Sequence, residues 1–140
     1  MIDILFVALT VLYLWFGSKV DQWTTIALLG FKMEVPQALI DHPRAYHLIR
    51  SALLLAATAC LFATQEIPWY VGAVMLGAAW FATTFIGQRR AFATYRSIWQ
   101  EAVADPGSAP EEKRFGAAEA NRSDAELRDR VMKANRSLVA

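Results

Sequence analysis

Residues 67–87, IPWYVGAVMLGAAWFATTFIG, contain no charged side chain, and they are followed at once by Gln88, Arg89 and Arg90. A run of about twenty such residues closed by arginines has the length and the flank of a helix crossing the roughly 30 Å hydrocarbon layer of a bilayer. Lipid offers the backbone no hydrogen bonds, so a spanning segment must be a helix or part of a closed barrel. The helical patterning of this 140-residue chain leaves helices.

Reading outward from that run, Gln65-Glu66-Ile67-Pro68 is a tight turn, with Pro68 at the start of the following helix. Trp69 and Tyr70 then fall in one aromatic belt, and Arg89, Arg90 and Trp99 are expected to anchor the opposite boundary. Before the turn, residues 45–64 form a second span. Its charge-free part, 51–64, is short, so Arg50 is expected to send its guanidinium back to the interface. Asp41 is the expected N-cap of that helix, with Pro43 in its first turn. The two spans make a helical hairpin.

Further upstream, the apolar stretch from Ile4 to Ser18 would cover only about 22 Å as a helix. No Gly-Pro break separates it from the apolar residues after Trp23. One continuous tilted helix over about 3–31 is therefore expected, with its C-terminal end, past Lys19 and Asp21, emerging from lipid. Pro36, Asp41 and Pro43 mark 34–44 as a connection holding at most a short helix begun at Pro36.

Downstream of Arg90 the third helix is expected to continue to about residue 104, because Phe92, Tyr95, Trp99 and Val103 recur at three- and four-residue spacing. Asp105-Pro106-Gly107 breaks it, residues 105–122 read as a linker, and a helix over 123–139 opens with the capping box Ser123/Glu126. Leu127, Val131, Ala134 and Leu138 form its apolar line. Asp124/Arg128, Glu126/Arg130 and Asp129/Lys133 are acid-before-base pairs one turn apart. The predicted architecture is thus all-α: a membrane domain of three transmembrane helices over 1–104, an amphipathic extension and a C-terminal helix.

Orientation follows from the basic residues, which favour the cytoplasmic side. Lys32, Arg44 and Arg50 precede the second span and Arg89, Arg90 and Arg96 follow the third, while the turn between them has none. This places the N-terminus outside and the C-terminus in the cytoplasm of a cell or inner membrane. The N-terminus lacks a basic leader and is expected to be retained.

Composition narrows the function. The chain is 56% hydrophobic and 19% charged with a net charge of +1, which gives no general attraction to nucleic acid. His42 and His47, the only histidines, project about 140° apart on a helix, and no HExxH, CxxC, P-loop, GxGxxG or GxSxG pattern is present. No metal, cofactor or catalytic residue is expected, and the lone Cys60 reads as a packing residue. Small residues carry the clearest packing signal: Ala52, Ala56, Ala59, Cys60 and Ala63 on span two and Gly72, Ala73, Gly77 and Ala78 on span three, with Ala73 and Gly77 at small-xxx-small spacing, are expected to face one another within the chain, ahead of contact between copies.

The expected role is non-enzymatic: an accessory or scaffold subunit in the bilayer that docks to a protein partner, or to further copies, through its cytoplasmic tail. Two alternatives accompany it. An outer N-terminus, three spans and a charged inner tail resemble the layout of class I phage holins over about the first hundred residues, which would imply an oligomeric pore. A small transporter or channel component would instead use Lys19 and Asp21, since ionisable groups inside a bilayer mark ion paths by default.

Overall fold

A computed structural model describes residues 1–139, with side chains described through 136, and every regular element among them is helical. In order these are α1 (Ile2–Leu28), a 3-10 turn at Lys32–Glu34, α2 (Gln37–Asp41), α3 (Pro43–Ala63), α4 (Trp69–Ala104), α5 (Pro110–Ala120) and α6 (Asp124–Val139). Three of them, α1, α3 and α4, are long and apolar enough to cross a membrane. Their outer surface agrees with that: Leu55, Phe62, Val74 and Phe81 are each at least 70% exposed. Water would penalise so broad an apolar surface, whereas lipid matches it.

α1 is one uninterrupted helix, as the missing Gly-Pro break implies, but it stops three residues before Phe31. Gly30 adopts φ +103, a left-handed conformation that costs glycine little. Its N–H donates to the Ala27 carbonyl at 3.1 Å and that of Phe31 to Ile26 at 3.1 Å, so the last turn is capped by the backbone itself. The connection that follows folds back on α1, where Val35 and Leu39 bury beside Val20, and Tyr46 stacks on Phe16. α3 begins at Pro43 with His42, not Asp41, at its N-cap position. Asp41 closes the short α2 instead, accepting from the Gln37 amide at 3.0 Å.

The hairpin is present at its turn, where Leu61 of α3 packs on Gly72 of α4, but it is not the main contact of the bundle. α3 and α4 are joined by a short turn, but α1 packs along both of them and supplies most of the bundle's contact. Ala56, Ala59, Ala63 and Ala73 are exposed, and a Cβ at Gly77 would meet nothing within 4 Å. Of the small residues expected to pack, Gly72 is buried; the rest of the buried face is Ala57 and Leu61 on α3 and Ala79, Thr83 and Gly87 on α4. Alanine is frequent on every face of an apolar helix, so small size did not single out the face that packs.

Close approach falls on Gly72, where a Cβ would lie 2.0 Å from Leu61 Cδ1 of α3, and on two glycines between α1 and α4. A Cβ at Gly87 would lie 2.6 Å from the Asp21 Cβ and 2.8 Å from the Ser18 carbonyl oxygen, and one at Gly17 would lie 2.8 Å from the Thr83 methyl. Both contacts require a residue without a side chain.

Beyond Arg90 the chain turns back on itself. The segment expected as a linker contains the eleven-residue helix α5, started by Pro110 at its first turn with Glu111 and Glu112 beside it. α5 and α6 cover the extension of α4, where Leu127 and Val131 bury against Ile26, Ala91, Phe92 and Tyr95. The side chain of Leu138 lies outside the described residues. Trp99 is part of this core and not a lipid anchor, set edge-on to Phe31 and Phe115 with Gly116 beside it. Trp69 and Tyr70 remain exposed at the far end of α4.

Candidate functional site

An ion pair lies between the three long helices. Arg50 Nη1 donates to Asp21 Oδ1 at 2.6 Å and Nη2 to Thr83 Oγ1 at 2.9 Å, so one guanidinium joins α3 to both α1 and α4. The two charged side chains are 15% and 18% exposed. The guanidinium also lies 5.9 Å from the centre of the Tyr13 ring, a cation–π contact that adds a third neighbour.

Helix geometry explains why residues so far apart in sequence meet. Arg50 is about 20 Å along α3 from its Ala63 end and Thr83 about 21 Å along α4 from Trp69, so the two stand at one depth. Asp21 sits further along α1, about 28 Å from Ile2. Side chains lean toward the N-terminus of their own helix, and α1 and α3 run in opposite directions. Asp21 therefore leans one way and Arg50 the other, closing the gap.

The expectation that Arg50 reaches back to the interface is overturned for this reason. A carboxylate and a hydroxyl lie within reach on the inner side, and an ion pair there spares the guanidinium a longer excursion. The visible signal was two opposite charges on antiparallel neighbouring helices at nearby depths. Asp21 Oδ2 and Gln22 Oε1 are buried with no hydrogen-bond partner among the described residues. Lys19, by contrast, makes no ion pair among the described residues and is half-buried.

A second ionic centre holds the tail. Glu119 is 1% exposed and receives the Tyr95 hydroxyl of α4, Arg130 Nη1 of α6 at 2.7 Å and Arg122 Nε at 2.8 Å. Arg96 of α4 donates to the Arg122 carbonyl at 3.0 Å and to the Asp124 carboxylate. Of the three intrahelical pairs expected on α6, only Asp129–Lys133 forms, at 2.9 Å. Asp124, Glu126 and Arg130 turn instead to Arg96, Arg122 and Glu119, partners that sequence spacing along one helix does not reveal. Half of the capping box is made: the Glu126 N–H donates to Ser123 Oγ at 3.3 Å.

Burial pushes the Glu119 carboxyl up, but hydrogen bonds from Arg130, Tyr95 and Arg122 outweigh it and hold the group at about 2, below its ordinary 4.5. The unfolded tail therefore takes up a proton first as the pH falls. The stabilisation, on the order of 3 kcal/mol, is complete above about pH 4.5 and is lost progressively toward pH 2. Hydrogen exchange over residues 110–136 should show α5 and α6 opening across that window. Glu119→Gln should already be open at pH 7, and protection independent of both pH and this substitution would contradict the assignment.

Among the described residues, no group of three or more histidine, cysteine, aspartate or glutamate side chains could hold a metal ion. Arg89 and Arg90 are exposed and unpaired among those residues. No family model, curated protein or solved structure matches the chain.

Proposed function

We propose that the protein is a small, non-enzymatic integral membrane subunit that serves as an accessory or scaffold component, with its N-terminus outside and its C-terminal helices in the cytoplasm. The observation that carries this reading is the Glu119 centre, which makes α5 and α6 a folded platform on the end of α4. Leu127 and Val131 of the α6 apolar line are consumed by the chain itself. The surface left for a partner is the outward face of α6, where Arg128, Asp129, Met132 and Lys133 are exposed. A mixed-charge face with a central methionine suits a polar protein partner.

The orientation is supported by the position of the charges. Met1, Asp3 and the turn at 64–66 line one common hollow at the end without arginines. The arginines of α4 stand at the other, which favours the cytoplasmic side.

Photo-cross-linking groups placed at 129 and 132 in cells test the reading. A discrete adduct is expected at pH 7, and Glu119→Ala should abolish it while the protein stays in the membrane fraction. No adduct from either position would overturn the proposal.

A transporter or channel component is a second reading, favoured by the free Asp21 Oδ2 inside the bundle. It is disfavoured by the pairing of the other carboxylate oxygen with Arg50. Proton or cation flux in proteoliposomes that disappears in Asp21→Asn would support transport over docking.

A further inference from the structure

A cavity of about 160 Å³ lies between α4 and the first turn of α6, lined by Phe85, Gln88, Arg89, Phe92, Asp124 and Arg128. Its position is where the uncharged run of α4 gives way to arginines. Phe85 and Arg89 stand one turn apart on one face, so an apolar ring and a cation open into the same hollow.

Charge inside the cavity is unbalanced. Arg50, Arg96, Arg122 and Arg130 all have acidic partners, whereas Arg89 and Arg128 have no ion pair among the described residues. Asp124, the one acidic lining residue, is already neutralised by Arg96. Two unpaired guanidinium groups thus face one hollow with a side-chain amide beside them. Guanidinium forks match phosphate oxygens, and paired arginines at a lipid boundary recognise anionic headgroups.

We propose that this cavity binds the phosphate of an anionic glycerophospholipid, with Arg89 and Arg128 on the phosphate, Gln88 donating from its amide, and one acyl chain lying against Phe85. Phe85 is 61% exposed and lies within the uncharged run of α4, one turn before Arg89, while Phe92 is buried and forms the floor. A free phosphate would use the two arginines but leave Phe85 uncovered. One headgroup touching both α4 and α6 would also fasten the tail to the membrane surface. The inference rests on the reading of the chain as a membrane protein.

Native mass spectrometry of the full chain, released from nanodiscs containing equal phosphatidylglycerol and phosphatidylcholine, tests it. Retained phosphatidylglycerol should exceed phosphatidylcholine by about thirtyfold, as two surface arginines would give. Arg89→Gln combined with Arg128→Gln should bring the ratio near one without changing helicity. The corresponding double lysine variant should keep a preference, and Arg114→Gln, away from the cavity, should leave it unchanged. An undiminished preference in the double glutamine variant overturns the proposal. So does millimolar inorganic phosphate displacing all bound lipid, which would make free phosphate the ligand. Protein recovered in the soluble fraction would instead overturn the membrane reading itself.

Discussion

Replacing Arg50 with leucine is expected to destabilise the bundle by about 3–5 kcal/mol, because the Asp21 carboxylate is then left buried with no counter-charge. Thr83 also loses the donor that now reaches it at 2.9 Å. Asp21→Asn leaves the guanidinium without its counter-charge but should cost less, since an amide oxygen still accepts from it. Replacing both residues with leucine should recover much of the loss, because no uncompensated charge remains and lipid-buried helices tolerate leucine. Reversible unfolding of the purified protein in mixed micelles gives all three values, and adding the single Asp21→Leu variant closes a double-mutant cycle. A loss under about 1 kcal/mol for Arg50→Leu, the range of an exposed ion pair, would mean that water reaches the pair.

Gly87→Leu is expected to have a similar effect through sterics alone. The first carbon of any side chain at this position would fall 2.8 Å from the Ser18 carbonyl oxygen and 3.0 Å from the Gln22 nitrogen, and backbone atoms cannot rotate aside. α1 must then shift away from α4, which opens the packing around Asp21 and costs about 3 kcal/mol, the upper end of ordinary overpacking. Gly77→Leu is the matched control on the same helix, since a Cβ there would meet no atom within 4 Å. Its unfolding free energy should stay within about 0.5 kcal/mol of the parent. Equal losses at 77 and 87 would show that α4 packs by a different face.

The contrast between these glycines shows where sequence reading ended. Both lie in one charge-free run, and the small-residue pattern favoured Ala73 and Gly77 because their spacing matches a known packing motif. The face in contact is set by how α1 lies against α4, and no local pattern encodes that crossing. Arg50 is a comparable case: from its own span it looks like a residue seeking the interface, and only its distance to Asp21 turns it inward. Glu119 was read as part of a linker, since its partners come from Tyr95 on α4 and Arg130 on α6. Phe92, Tyr95, Leu127 and Val131 were recognised as apolar stripes, but each stripe was read alone, and the structure joins them.

The three long helices, their approximate ends and their all-helical character were determined by the sequence itself. Uninterrupted apolar runs, prolines at helix starts and arginines at a boundary act through local hydrogen bonding and transfer from water, which each segment expresses alone. The inward ion pair, the glycine contacts along α1 and the docking of the tail on α4 were decided only by the tertiary structure. Each depends on two distant segments arriving at one depth and angle, and a buried charge has no settled role until the group beside it is known.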